Sequence, residues 1–104
     1  MAHQYRKKPV VVEAWQFNPN AAPTTLPDWL WASMLKGEAK LGHDRGGAAT
    51  LSITTREGVM RADQNDWIIR GVDGELYPCK PEIFAKTYDA VPEVIVYPSG
   101  GIKD

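Results

Sequence analysis

The apolar positions fall into short alternating or β-branched runs separated by polar turns, with one stretch at helical spacing. Pro9-Val10-Val11-Val12-Glu13-Ala14-Trp15-Gln16-Phe17 is β-branched and aromatic, and apolar on both alternating faces except at Glu13 and Gln16. It predicts a central strand over 9–17, broken by Asn18-Pro19-Asn20-Ala21-Ala22-Pro23, because proline and asparagine favour turns and interrupt a ladder. Thr25 is placed as an N-cap, with Pro27 in the first turn and Asp28 facing the positive end of the helix dipole. The pattern predicts a helix from about Leu26 to Lys36, closed by Gly37. Leu26, Trp29, Leu30 and Met34 form one apolar face of it, and Trp31 and Leu35 extend that face beyond the width a core needs. A large side chain is therefore expected to point outward.

Gly37 to Ala48 is polar and glycine-rich, which predicts a loop. Its Gly42-His43-Asp44-Arg45-Gly46-Gly47 matches neither glycine arrangement that cradles phosphates. Leu51 and Ile53 then alternate with Ser52 and Thr54, Arg56-Glu57-Gly58 turns, and Val59 to Ala62 returns: a hairpin. A second hairpin follows, with Trp67 to Val72 as one strand, Asp73-Gly74 as a two-residue type I′ turn, and Glu75-Leu76-Tyr77 as the return strand ended by Pro78. Pro81 suits the first turn of a helix, since its missing N–H costs nothing there, and a short helix is expected from Pro81 to about Tyr88. Glu93 to Tyr97 has the pattern of a last strand. The whole predicts one α+β domain over 1–97, followed by a flexible tail over 98–104. Its architecture would be a mainly antiparallel sheet of five or six strands with two hairpins, one longer helix and one short helix packed against it.

The chain has 104 residues, ordinary for one domain, and its 43% hydrophobic and 24% charged fractions argue against a disordered or membrane-embedded protein. Lys plus Arg number 12 against 13 Asp plus Glu, so no global field draws the chain onto nucleic acid or an anionic membrane. No sequence-specific nucleic-acid contact and no membrane partner are expected. The run Val10-Val11-Val12 is too short for a signal segment or a span, and the single Cys79 cannot close an intrachain disulfide. Both fit a reducing cytoplasm. His3 and His43 lie far from Cys79, and Asp63, Asp66, Asp73 and Glu75 do not follow a calcium-loop order, so neither a metal nor another cofactor is expected. Cys79 lacks a neighbouring base, and no nucleophile, acid or base stands at telling spacing; the chain reads as a non-enzyme.

Tyr5 to Phe17 (YRKKPVVVEAWQF) and Asp66 to Tyr88 (DWIIRGVDGELYPCKPEIFAKTY) resemble small phage and prophage proteins of the PGDYG type, in which a Gly-Asp-aromatic turn leads into a strand. Asn65 stands where that turn has glycine, and asparagine also visits the left-handed region. The resemblance implies a phage context without catalytic residues. Small proteins in that setting counter host defence by capping a host protein or by sequestering a nucleotide signal.

Two sets of residues carry chemistry suited to those roles. Trp67, Arg70, Tyr77 and Lys80 surround the second hairpin and the start of the short helix, and supply cations for phosphate and rings for a base: the parts of a pocket for a small anionic, nucleotide-like ligand. The same rings can instead be core, with Arg70 and Lys80 covering them by their aliphatic stems. Trp29, Trp31 and Leu35 form the alternative, a face that binds a host protein. The first reading predicts an accessory protein that sequesters a nucleotide, the second an inhibitor. Exposed strand edges and surplus tryptophan point to a homo-oligomer.

Overall fold

A computed structural model describes residues 2–6, 8–20 and 26–91. The fold is α+β. In chain order its elements are β1 (Glu13–Gln16), α1 (Asp28–Leu35), β2 (Ala39–His43), β3 (Ala49–Thr55), β4 (Gly58–Ala62), β5 (Trp67–Arg70), β6 (Leu76–Cys79) and α2 (Pro81–Thr87). The strands form two three-stranded antiparallel sheets, ordered β1-β5-β6 and β2-β3-β4, rather than one sheet of five or six. The expected strand over 93–97 and the tail over 98–104 lie outside the described residues.

Between the two sheets sits the main core: Phe17, Leu30, Ala39, Leu51, Ile53, Ala62 and Ile68, each almost fully buried, with Trp15, Trp29, Met34 and Leu76 packed against it. Leu51 and Ile53 are buried as their alternation requires. Their strand pairs with β4 through Leu51 opposite Ala62 and Ile53 opposite Met60. Helix α1 begins after Pro27, without a side-chain cap, and the proposed cap Thr25 lies outside the described residues. It ends at Leu35, and Gly37 follows at φ +80°, a left-handed position that glycine adopts without steric cost.

Four local expectations are corrected. Residues 39–43 are not loop: they form β2, paired with β3 from Ala39 opposite Ile53 to His43 opposite Ala49. Ala39-Lys40-Leu41-Gly42-His43 has little intrinsic strand preference, and the ladder to β3 overrides it. The turn proper is confined to Asp44–Ala48, where the Asp44 carboxylate accepts the Gly46 and Ala48 N–H groups at 2.8 and 2.9 Å. The strand of the first run covers only Glu13–Gln16 rather than 9–17, and among the described residues it pairs with β5 alone.

The second hairpin does not turn on a type I′ pair. That turn needs positive φ at both central residues, and among the described non-glycine residues only Asn65 has positive φ. Instead the Gly74 N–H donates to the Gly71 carbonyl, the Gly71 N–H donates to the Glu75 carbonyl, and Gly74 sits at φ +85°. This is a three-residue loop closed by a glycine bulge. Finally, β6 runs through Pro78, which stands opposite Ile68. Proline is tolerated there because β6 is an edge strand with no outer neighbour among the described residues.

Candidate functional site

Helix α1 divides its residues cleanly. Leu30 is buried and Trp29, Ser33 and Met34 are half-buried, all on one side of the wheel, while Asp28, Trp31, Ala32 and Leu35 are exposed on the other. Trp31 is 45% exposed and Leu35 84% exposed. These two are one turn apart and share a face, so the width that exceeded the core's need takes the form of an outward apolar patch. Trp29 does not belong to it: its ring packs against the core and lines a groove on the other side of α1.

The second set is positioned by the sheet of β1, β5 and β6. Strand alternation with the observed register puts Trp67, Ile69, Tyr77 and Cys79 on one face, and Ile68, Arg70, Leu76 and Pro78 on the other. Helix α2 covers the first face. Trp67 stacks on Phe84 at 4.1 Å between ring centroids and 7° between planes, Phe84 meets Tyr88 at 5.0 Å, and the Tyr77 and Tyr88 hydroxyls lie 3.4 Å apart. Burial, followed by that hydrogen bond and the Tyr88 and Glu75 charges, pushes the Tyr77 phenol up. Burial also raises the Cys79 thiol, with Asp66 and Glu82 adding to it, so this cysteine is held away from the reactive thiolate.

Arg70 lies on the face opposite Trp67 and Tyr77, at the hairpin end, where its Nη1 donates to Glu13 Oε1 at 2.8 Å. Lys80 lies past the other end of β5. Four residues of strand separate the two levels, roughly 13 Å. The Lys80 Nζ donates to Asp66 Oδ2 at 2.9 Å and to Asp63 Oδ2 at 3.3 Å. The structure thus brings Trp67 and Tyr77 under one helix, but it does not bring Arg70 and Lys80 together, and each of these cations already faces a carboxylate.

Asp66, in the sequence only one acid of a cluster without calcium-loop order, is a buried lock. Its carboxylate is 3% exposed as a residue, accepts the Asp63 N–H at 2.8 Å, and ties the β4–β5 corner to the start of α2 through Lys80. Asn65 makes the corner at φ +77°, the left-handed conformation that asparagine tolerates. Arg61 closes the group with a 2.9 Å pair to Asp63.

These pairs predict a pH dependence. Partial desolvation pulls the Asp63 carboxyl up, but the hydrogen bond from Lys80 and the Arg61 and Lys80 charges outweigh it, so the carboxyl sits below its ordinary range. The hydrogen bond to Asp66 outweighs desolvation at Lys80 and, with Asp63, raises its ammonium above the ordinary range. Stability from Asp63 is then present above the unfolded carboxylate pKa and lost as pH falls through the lowered one. Stability from Lys80 is present below the unfolded lysine pKa and lost as pH rises through the raised one. Both side chains are exposed enough that the contribution is about 1 kcal/mol or less. The gap between the urea midpoints of the native chain and Lys80→Ala should be widest near pH 7 and narrow as pH falls through the lowered Asp63 value; a gap that does not narrow in acid contradicts the assignment.

Among the described residues no group of three or more His, Cys, Asp or Glu is placed to hold a metal ion, and no helix is long and apolar enough to cross a membrane. No family model, curated protein or solved structure matches the chain.

Proposed function

We propose that this chain is a non-catalytic binding protein that docks on another protein through the outer face of α1. The observation that carries the reading is the pairing of a 45% exposed Trp31 with an 84% exposed Leu35 on a helix whose opposite side is anchored in the core. A tryptophan held on a rigid element loses little freedom on binding and contributes a large contact area, which is why this residue anchors protein interfaces. In the phage setting that the resemblance implies, the partner is a host protein and the outcome is inhibition by capping. The nucleotide-sequestering reading needs Arg70 and Lys80 to converge, and they stand at opposite ends of β5 with carboxylates already engaged.

The test is affinity capture from host lysate with the native chain and with Trp31→Ala side by side. A host protein held by the native chain should be released by the variant, with affinity falling by about 2 kcal/mol or more, roughly thirtyfold. The melting temperature should hardly move, because surface substitutions stay within about 0.5 kcal/mol. Identical capture by both chains, or a nucleotide retained by the native chain in place of a protein, would count against the α1 face.

A further inference from the structure

The run Pro9 to Phe17 is apolar on both alternating faces except at Glu13 and Gln16, the signature of a strand covered on both faces, and a strand inside a sheet also has a hydrogen-bonded neighbour along each edge. Within the described residues it has one. β5 pairs with Glu13–Gln16, and no described residue pairs with the other edge of β1. Lys8 to Val12 make no backbone hydrogen bond to any described residue. Val10 is 48% and Val11 75% exposed. Beside them runs a groove of about 700 Å³ whose lining includes Val11, Trp29, Trp67, Tyr88 and, as its charged members, Glu13 and Asp89.

Charge selects the occupant. Arg6 and Lys8 enter no ion pair among the described residues, and neither does Asp89, while Glu13 is already paired with Arg70 at 2.8 Å, so Asp89 is the acid left to meet them. The stretch is therefore basic at its start and acidic at Glu13 and the neighbouring Asp89, with valines between. Such a polarity is complementary to itself when run antiparallel. We propose that a second copy of this chain pairs along the free edge of β1 and its extension Lys8 to Val12, about a two-fold axis near the valines. Arg6 and Lys8 of each copy then pass Asp89 and the Arg70-paired Glu13 of the other, and the two β1-β5-β6 sheets join into one of six strands. A two-fold pairing is closed, so it removes the open edge without propagating into a fibre. Pro9 is compatible with this position, since proline is accepted near strand starts and edges.

Sedimentation velocity of the full chain over a concentration series tests the proposal. The native chain should be dimeric at high micromolar concentration. Val11→Asp buries a charge in the seam and Lys8→Glu reverses one end, so each should weaken the dimer by about tenfold or more. Trp31→Ala should leave it intact, which separates this surface from the α1 face. Because Val11 is mostly exposed in the single chain, Val11→Asp should not alter the melting of dilute, monomeric protein. A native chain that stays monomeric, a dimer indifferent to Val11→Asp, or a dimer dissolved by Trp31→Ala would each overturn the proposal. So would a Val11→Asp monomer that melts early, which would mean the chain's own residues cover that edge.

Discussion

Replacing Phe17 with alanine is expected to lower the unfolding free energy by about 3–5 kcal/mol, the largest loss of any single truncation considered for this chain. Phe17 is 2% exposed, and its ring meets Trp15 at 6.0 Å in the core between the two sheets. Its backbone is equally committed. The Phe17 N–H donates to the Asp66 carbonyl and its carbonyl accepts the Asn65 N–H, both at 2.8 Å, so the residue clasps the corner where the chain passes from β4 to β5. Truncation leaves a cavity at that clasp, where the left-handed Asn65 limits how far the backbone can relax into it. In a domain of about 100 residues such a loss moves the melting midpoint down by well over 10 °C, roughly 4–8 °C for each kcal/mol. Urea unfolding with a shared slope checks it; a loss under about 1 kcal/mol would show that Phe17 is not a core residue.

What the sequence discloses and what it hides follow from how far apart the partners are. The two hairpins were legible because their strands are neighbours in the chain, and the alternation of Leu51 and Ile53 carried their burial directly. Asn65 was legible as a left-handed position because it stands where the turn of the resembled proteins has glycine. β2 was not, because Ala39 to His43 owes its strand conformation to the ladder with β3 and not to its own residues. The division into two sheets was likewise hidden: periodicity assigns faces to a strand but does not say which hairpin shares an edge with which. For the candidate site, the surplus width of the α1 stripe foretold an exposed ring, and the fold selects Trp31 and Leu35 over Trp29. Arg70 and Lys80 offered the right chemistry, but their counter-charges lie 57 and 14 residues away in the chain, at Glu13 and Asp66. No local pattern announces such pairs.

The aromatic face under α2 gives the second large effect. Trp67→Ala is expected to cost about 3 kcal/mol, the low end for tryptophan truncation because the ring is half-buried. None of the residues of α2 is fully buried, and the helix is only seven residues long, too short to hold itself in water. Its hold on the sheet is the Trp67–Phe84 stack, extended by Phe84 against Tyr88 and by the contact of the Tyr77 and Tyr88 hydroxyls. Removing the indole should therefore release α2 before the rest of the fold. Amide exchange at Phe84 and Tyr88, whose N–H groups donate to the Lys80 and Phe84 carbonyls, should speed up well ahead of exchange in β3. Trp67→Phe should restore most of the loss, since a smaller ring can still stack on Phe84. The result also bears on the nucleotide reading, because Phe84 already occupies one of the two indole faces on which a base would stack. An unchanged melting temperature in Trp67→Ala would mean that the stack contributes nothing, and that α2 is held by contacts other than this one.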